Sequence, residues 1–295
     1  MNSMDQAERL RTLIKDKTDS KTGCKIIAVT SGKGGAGKTG IALNMAINFS
    51  RMGKKVIILD TDFGLSNIEV MFGIYPQYTI SDFLFKGKKL SEVITKGYEN
   101  VGFISGGSAI VKLLNVDSHE RMLILNRIKE LEETCDILMI DTGAGISDAV
   151  VDFLIPSNEI VLITTPEPTS ITDAYALVKT LSINENYNKD NADIKVLCNK
   201  ANSEKEGNLI YEKLNSVTER FLKIKLSYLG YIPYDNHIPK AIMKQVPVTI
   251  EYPESLASRS YKRVAQRLSG EVKESQNNNR MEILFSKYFM TKRGY

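Results

Sequence analysis

Residues Lys25–Thr39 read KIIAVTSGKGGAGKT, an apolar run that leads directly into a loop with four glycines. The run is typical of a β-strand, and the periodicity of Thr39–Met52 predicts that a helix follows. Between them, Gly32–Thr39 satisfies the pattern G-x-x-x-x-G-K-[ST]. Glycines in such a loop allow backbone N–H groups to surround phosphate oxygens, and the helix N-terminus adds the positive end of its dipole. This stretch therefore predicts a phosphate-binding loop at the end of a buried strand.

The side chains at the end of the loop indicate which phosphates it binds. We expect Lys38 to reach the β- and γ-phosphates of a nucleoside triphosphate, and the Thr39 hydroxyl to bind Mg²⁺. The backbone amides between the first glycine and the lysine should contact the same phosphates, and they belong to Gly34, Gly35, Ala36 and Gly37.

A competing interpretation starts from the same glycines. Gly32–Gly37 also fits the dinucleotide-binding pattern G-x-G-x-x-G, and Asp60 ends the next strand about where a ribose-binding acid would lie. Three features favour the triphosphate. The Lys-Thr pair has no role in a dinucleotide turn, Asp141 ends an apolar strand as a Mg²⁺-binding carboxylate should, and Asp62 supplies a further carboxylate.

Short apolar runs recur along the chain, and each is predicted to be a strand: Lys25–Ser31, Lys55–Asp60, Val101–Ser105, Asp136–Asp141, Glu159–Thr164, Asp193–Asn199 and Lys225–Tyr231. Further stretches have helical length, namely Ser118–Thr134, Ser170–Ser182 and Glu206–Leu222. Runs that are apolar throughout indicate strands covered on both faces, as in parallel sheets. We therefore predict one doubly wound α/β domain over residues 25–270, with a mainly parallel sheet and helices on both faces.

The composition excludes several classes of protein. Apolar residues make up 42% of the 295 residues and charged residues 25%, which is inconsistent with a disordered or fibrous chain. No run approaches the ~18 apolar residues of a membrane span and no signal-peptide pattern is present, so we expect a cytosolic protein. Three separated cysteines and two histidines exclude a disulfide framework and a thiolate or histidine-rich metal site. The net charge of +4 is too small to indicate nucleic acid.

An additional lysine, Lys33, stands near the start of the loop, and with it the loop resembles the deviant Walker A motif of the MinD/ParA ATPases. The resemblance implies a P-loop fold, slow Mg²⁺-dependent ATP hydrolysis and a homodimer that forms with ATP. In that family the extra lysine crosses the dimer interface, where a second ammonium stabilises charge during phosphoryl transfer, so Lys33 and Lys38 are candidate catalytic residues. The family often has a hydroxyl residue after the threonine, whereas Gly40 offers phosphate only its backbone N–H.

Two further segments resemble those that complete the family's active site. Asp60–Asn67 resembles D-x-D-x-G-x-x-N, which implies that Asp62 positions the attacking water and that Asp60 organises the Mg²⁺ shell. Ile140–Gly145 resembles the family's Walker B segment, which implies that Asp141 holds Mg²⁺.

The resemblance also covers the dimer face and the base-binding loops. Thr165–Ala174 is similar to the family's T-x-P-E-x-x-S-x-x-D-A segment, which lies near the dimer face. Asn199 ends a strand where the family has an adenine-binding asparagine. Gly230–Asp235 resembles the loop that closes over the base, which implies contacts from Pro233 and Asp235. From the residues alone, a strand-end cap at Asn199 and a turn aspartate at Asp235 stay open.

Residues 1–24 precede the first strand and contain a short predicted helix, Asp5–Lys15, and a linker. Met4–Arg11 contains D-Q-A-x-x-L-R, which resembles the amino-terminal activator motif of the FlhG family of flagellar ATPases. The resemblance implies that this helix binds the GTPase FlhF and stimulates GTP hydrolysis through Asp5, Gln6, Ala7, Leu10 and Arg11. Taken alone, the motif also fits an ordinary amphipathic N-terminus.

At the other end, residues 271–279 are polar and linker-like, and residues 280–295 recover helical periodicity. Five apolar residues share one predicted helical face: Met281, Leu284, Phe285, Tyr288 and Phe289. Four cations against one acid give this segment a charge of +3. We therefore expect an amphipathic helix that lies in an anionic membrane surface, as in MinD. The alternative is that this face packs on the ATPase domain.

Together these resemblances imply a cytoplasmic switch that is peripheral on the inner face of the cell membrane when ATP-bound. Its partners would be FlhF and flagellar switch-complex (C-ring) components, and its output would be flagellar number or placement. Two alternatives stay open. A ParA-like DNA-partition ATPase would need a basic patch and no aromatic tail, and a MinD-like division-site selector would not need the Asp5–Arg11 motif.

Overall fold

The computed structural model describes residues 23–62, 67–106, 130–131, 133–187 and 193–269, and within these residues eight strands form one sheet. The strands are β1 (Lys25–Thr30), β2 (Val56–Thr61), β3 (Thr95–Lys96), β4 (Gly102–Ile104), β5 (Ile137–Thr142), β6 (Glu159–Thr164), β7 (Asp193–Ala201) and β8 (Ser227–Pro233). Their order is β3–β4–β2–β5–β1–β6–β7–β8. Neighbouring strands are parallel except for the pair β3 and β4.

Helices connect most of these strands. They are α1 (Lys38–Arg51), α2 (Asn67–Phe72), α3 (Ile80–Phe85), α4 (Leu90–Val93), α5 (Asp148–Leu154), α6 (Pro168–Ser182), α7 (Glu204–Leu222), α8 (His237–Met243), α9 (Val248–Glu251) and α10 (Leu256–Leu268). A short 3₁₀ turn, Tyr98–Asn100, precedes β4.

The central strands are buried on both faces because alternate side chains enter two separate cores. In β1, Ile26 and Ala28 belong to the core covered by α5, α6 and α7. Ile27 and Val29 belong to the core covered by α1 and α10. Helices on both faces explain why the strands are apolar throughout. The doubly wound α/β fold predicted from the sequence is confirmed.

The predicted strands are all present, and their ends differ from the expected ones by at most two residues. The two-residue strand β3 is missing from the prediction because so short a segment carries no periodic pattern. Four predicted segments lie wholly or mostly outside the described residues: the amino-terminal helix, the helix at 118–134, the linker at 271–279 and the helix at 280–295. Within the described part, no helix is long and apolar enough to cross a membrane.

The two edges of the sheet carry different parts of the molecule. Parallel strands end at one carboxyl edge, which is where α/β proteins bind their ligands, and the phosphate loop follows β1 there. The opposite, amino edge holds the beginning of β1 and the end of α10. Nζ of Lys25 donates a hydrogen bond of 2.8 Å to the Leu268 carbonyl and joins these two points directly.

Candidate nucleotide-binding site

The phosphate loop, residues 31–37, is closely approached by its neighbours at two glycines. A Cβ atom at Gly32 would lie 2.2 Å from the Asp173 carbonyl oxygen in α6, and one at Gly37 would lie 2.4 Å from Nδ2 of Asn199. Gly37 also has a φ of +94°, a left-handed conformation that other residues rarely adopt. The loop therefore requires glycine at both positions, because α6 and the end of β7 occupy the space.

Hydrogen bonds from three elements fix the shape of the loop. Oγ of Ser31 donates to the Lys33 carbonyl at 2.7 Å, and the N–H of Gly145, in the loop after β5, donates to the Ser31 carbonyl at 3.1 Å. From the end of β7, Nδ2 of Asn199 donates to the Ala36 carbonyl at 2.7 Å. These bonds use carbonyl groups of the loop, so they do not compete for the N–H groups that phosphate would need.

Three carboxylates and one ammonium meet beside the loop. Asp60 and Asp141 are paired neighbours near the ends of β2 and β5, and the two residues are 3% and 0% exposed to solvent. Lys38 is the first residue of α1. Burial, together with the charge of Asp141, raises the pKa of Asp60 to about 8, and burial raises the pKa of Asp141 to about 7. Burial lowers the pKa of Lys38, although the charges of Asp141 and Asp62 oppose that shift. In this cluster of Lys38, Asp60, Asp62 and Asp141, burial therefore disfavours the charged forms of the buried groups, and the neighbouring charges offset that cost only in part.

The cluster fits a divalent cation. Both carboxylate oxygens of Asp141 are buried, and neither has a hydrogen-bond partner among the described residues. The nearby Thr39 hydroxyl lowers the pKa of Asp141 and so opposes the effect of burial. The geometry between the two side chains does not meet the criteria for a hydrogen bond. In the described ranges no three His, Cys, Asp or Glu side chains can hold a metal by themselves. Mg²⁺ usually takes only one or two carboxylates from the protein and keeps water and phosphate oxygens in its shell.

Asp62 stands at the open side of the cluster, directly after β2. Its N–H donates to Oδ1 of Asp60 at 3.0 Å, and its Oδ2 accepts from Nδ2 of Asn67 at 3.4 Å. A cleft of about 280 Å³ opens beside it, lined by Thr61, Asp62, Gly143, Ala144, Ser147, Ala149, Val150 and Phe153. The Asp62 backbone is thus anchored, and its carboxylate has room for water beside it, as a water-positioning group needs.

Lys33 folds back onto its own chain. Its Nζ forms an ion pair with Glu167 and lies 3.2 Å from the Thr169 hydroxyl, both at the start of α6. The two side chains of the ion pair are 37% and 55% exposed, so the pair is screened by water and contributes little to stability. The Lys33 ammonium lowers the pKa of Glu167. The Lys33 ammonium is thus engaged by its own chain, and its role across a dimer interface stays a prediction.

Asn199 braces the loop, and the residue after it also contacts the loop. Oδ1 of Asn199 accepts the Lys200 N–H at 2.9 Å, so both ends of the Asn199 amide are engaged. Nζ of Lys200 donates to the Gly35 carbonyl at 3.1 Å, and its charge helps to lower the pKa of Glu167. Sequence reasoning missed Lys200. Its position directly after the strand-end asparagine is the signal that would have pointed to it.

Asp235 joins two parts of the backbone. Its carboxylate accepts the His237 N–H at 2.9 Å and the Ala257 N–H at 3.0 Å, which ties the turn after β8 to the first turn of α10. Burial would raise the pKa of Asp235, but these hydrogen bonds lower it. The open alternatives of a cap at Asn199 and a turn aspartate at Asp235 are therefore present in the fold. Adenine contacts from Asn199, Pro233 and Asp235 stay predictions.

The chain is similar to known proteins over most of its length. The ParA family model, described as an NUBPL iron-transfer P-loop NTPase, matches residues 23–269. Antiactivator FleN of Pseudomonas aeruginosa is 37% identical over 244 residues, which cover 83% of this chain and 86% of that protein. Flagellum site-determining protein YlxH of Helicobacter pylori is 33% identical over 267 residues, covering 88% and 89%. The chain is an FlhG-type member of the MinD/ParA ATPase family.

Solved structures share the fold of this FlhG-type ATPase. The septum site-determining protein MinD of Pyrococcus horikoshii, solved with Mg-ADP, has a TM-score of 0.65 at 23% identity and covers 83% of this chain and 96% of that one. The MinC:MinD complex of Aquifex aeolicus gives a TM-score of 0.65 at 23% identity, with 86% and 99% covered. At this level of identity the likeness concerns the fold alone.

Gly40 is where this FlhG-type ATPase lacks the hydroxyl that the family often carries. The residue lies in the first turn of α1, directly after the Thr39 hydroxyl. A Cβ atom at Gly40 would lie 3.4 Å from Cε of Met71, at the near limit of ordinary van der Waals contact with a flexible side chain. The structure therefore has room for a serine.

We expect Gly40→Ser to bind ATP more tightly than the wild type. One added hydrogen bond to phosphate is worth about 1 kcal/mol, so the dissociation constant should fall roughly fivefold. Isothermal titration with a non-hydrolysable ATP analogue measures it. Gly40→Ala is the matched control, because it adds the same Cβ and the same gain in helix propensity without a hydroxyl. Equal affinities for the serine and alanine variants would contradict the expectation.

Proposed function

We propose that this FlhG-type ATPase is a Mg²⁺–ATP-dependent switch that dimerises around ATP and is reset by slow hydrolysis. The observation that carries the proposal is the buried cluster of Lys38, Asp60 and Asp141, with Asp62 beside it, at the phosphate loop. The cluster has three carboxyl groups and one ammonium group, so it favours a divalent cation that binds together with the phosphates of a nucleotide. The Mg-ADP in the solved MinD supports the same ligand chemistry.

In the proposed reaction, the loop amides and Lys38 would bind the β- and γ-phosphates. Thr39 and Asp141 would hold Mg²⁺, and Asp60 would organise its surroundings. Bound Mg²⁺ would neutralise charge on the phosphate oxygens. Asp62 accepts a hydrogen bond from the attacking water and directs its oxygen toward the γ-phosphorus. Lys38 stabilises the negative charge on the transferred phosphoryl group.

Lys33 links hydrolysis to dimerisation in this proposal. It has to leave its ion pair with Glu167 before it can reach a nucleotide on a facing protomer. That ion pair is exposed and therefore weak, whereas a triphosphate presents several negative charges at one place. ATP bound to the facing protomer would thus draw Lys33 across the interface, and Glu167 would take it back after the phosphate has left.

The first test of the switch is nucleotide-dependent dimerisation. Wild type should sediment as a dimer with Mg²⁺–ATP and as a monomer with ADP. Lys38→Ala should lose nucleotide binding and stay monomeric, because it removes the main phosphate ligand. Asp62→Ala should bind ATP, hydrolyse it poorly and accumulate as a dimer. An Asp62→Ala variant that sediments only as a monomer at saturating ATP would refute the dimer mechanism.

The second test concerns the ion pair that holds Lys33. Glu167→Gln should lower the ATP concentration needed for half-maximal dimerisation, by several-fold at most, because it frees the lysine from an exposed partner. Glu185→Gln is the matched control, since it removes one negative charge from an exposed residue just past α6. Sedimentation across an ATP titration gives both values. Weaker dimerisation of Glu167→Gln than of the control would count against the proposed competition.

The proposed output is control of flagellar number or placement. The relatives FleN and YlxH, one named an antiactivator and the other a flagellum site-determining protein, support this output. The motif at residues 5–11 supports the FlhF GTPase as a partner, and flagellar switch-complex components are further proposed partners.

We expect a peptide of residues 1–20 to stimulate GTP hydrolysis by FlhF without the ATPase domain. A segment that reaches its partner from the end of a linker does not have to pack against the ATPase domain, so residues 1–20 should act on their own. Gln6→Ala and Arg11→Ala peptides should stimulate FlhF much less than the wild-type peptide, and phosphate release measures the difference. A GTPase rate that is unchanged by the wild-type peptide would exclude this activity.

The switch is proposed to be cytoplasmic and to bind the inner face of the cell membrane in its ATP-bound state. The sequence supports this with the apolar face of residues 281–289, which follows α10 by a short linker. α10 itself has exposed cations and no acidic residue, and the cations are Arg259, Lys262, Arg263 and Arg267. Cations near an anionic bilayer contribute about 1 kcal/mol each.

The same cationic face favours a second candidate function, non-specific DNA binding as in partition ATPases. Binding of this kind would weaken steeply with salt, because it releases counterions from DNA. It would not depend on the apolar residues of the tail.

Phe285→Glu should abolish co-sedimentation with anionic liposomes while leaving ATP-dependent dimerisation intact, because the charge cannot enter the apolar interface. Wild type should bind liposomes better with ATP than with ADP, since a dimer carries two tails. Undiminished liposome binding by Phe285→Glu would remove the tail from the proposal. Salt-sensitive DNA binding that survives Phe285→Glu, with no liposome binding by wild type, would favour the partition function instead.

A further inference from the structure

Two cysteines that are far apart in the sequence meet at the amino edge of the sheet. The Sγ atoms of Cys24 and Cys135 lie 3.2 Å apart, although the residues are separated by 111 positions. Cys24 comes directly before β1 and Cys135 shortly before β5, and these strands are parallel neighbours. Both side chains join the same core, Cys135 as a buried member and Cys24 as a partly buried residue packed against it.

The backbone on both sides of this cysteine pair is fixed. The Lys25 N–H donates to the Asp136 carbonyl at 2.9 Å, and the Asp136 N–H donates to the Lys55 carbonyl at 2.9 Å. The Cys135 thiol also contacts the Leu131 carbonyl, with 3.4 Å between sulfur and oxygen. The two sulfur atoms are therefore held together by the pairing of the strands and do not meet by chance movement of a loop.

The cysteine pair is separate from the nucleotide site and from the remaining cysteine. β1 has six residues, so its two ends lie roughly 20 Å apart at about 3.3 Å per residue. The third cysteine, Cys198, is buried in β7 and donates to the Gly207 carbonyl at 3.1 Å. In the described ranges, no cluster of metal-binding side chains includes the pair.

We propose that Cys24 and Cys135 form a redox-active dithiol that a hydroperoxide converts reversibly into an intramolecular disulfide. This inference goes beyond the proposed function and does not depend on it. A disulfide needs the sulfur atoms at about 2.05 Å, so they have to approach by roughly 1.2 Å, a movement that small side-chain rotations can supply.

The reaction starts at Cys24, because it is the more accessible of the two sulfurs. Its thiolate attacks one oxygen of the peroxide, the O–O bond breaks, and Cys24 becomes a sulfenic acid while the released hydroxide or alkoxide takes up a proton. The Cys135 sulfur then attacks the Cys24 sulfur, and the hydroxyl group leaves with the Cys135 proton as water. Two thiols lose two electrons, and the peroxide is reduced to water and an alcohol, or to two waters from hydrogen peroxide.

The environment of Cys135 explains this order of events. The contact with Cys24 and burial both raise the pKa of Cys135 well above its usual range. Cys135 is therefore the less reactive of the two thiols toward the oxidant. It acts as the resolving residue because an electrophilic sulfur forms beside it.

The experiment is oxidation of the reduced full-length protein with hydrogen peroxide, followed by peptide mapping and a count of free thiols. We expect two of the three thiols to be lost, a linked peptide containing Cys24 and Cys135, and no covalent dimer on a non-reducing gel. The melting temperature should rise on oxidation, because the bond closes a loop of about 110 residues in the unfolded chain. Dithiothreitol should reverse both changes.

Variants separate the pair from general oxidation. Cys198→Ser should form the linked peptide as the wild type does, whereas Cys24→Ser should lose no thiol pair. Cys135→Ser should accumulate sulfenic acid at Cys24, which dimedone captures. The proposal is overturned if peroxide converts wild-type Cys24 to sulfinic acid with Cys135 still free, or if the disulfide joins two chains.

Discussion

Asp60 and Asp141 lie side by side at the ends of β2 and β5, out of contact with water and fixed by the register of a parallel sheet. They cannot move apart without breaking that register, so each carboxyl group retains its proton to a higher pH than usual. Lys38 is also buried, and one ammonium cannot balance these two carboxylates and Asp62. A ligand that brings both a cation and phosphate oxygens completes the balance, so nucleotide binding should stabilise this edge of the folded state.

The phosphate loop has two close contacts with α6 and the residue before it. Gly32 lies against the backbone of α6 at Asp173, and Lys33 pairs with Glu167 at the start of the same helix. The loop cannot change shape without disturbing at least one of these contacts. Both contacts fall within Thr165–Ala174, the segment proposed to lie near the dimer face, so a change in the loop would act directly on that segment.

Local patterns in the sequence were sufficient for the fold and for the phosphate loop. Continuous apolar runs locate the strands because both faces of a parallel sheet are buried, and glycine spacing locates the loop. Contacts between distant segments were not predictable in this way. The pairing of Lys33 with Glu167, the brace from Asn199 and the meeting of Cys24 with Cys135 depend on which strands become neighbours. No spacing within a single segment carries that information.

The hydrogen bond from Lys25 to the Leu268 carbonyl has a consequence for how the two ends of the chain are used. It holds the beginning of β1 within one side chain's reach of the end of α10, at the edge of the sheet opposite the phosphate loop. Segments that continue from these points are tethered to almost the same anchor. Two ligands held by such segments would be present at a high effective concentration with respect to each other. If the amino-terminal segment binds a GTPase as proposed, that GTPase would be held close to the surface that the carboxyl-terminal segment is proposed to bind.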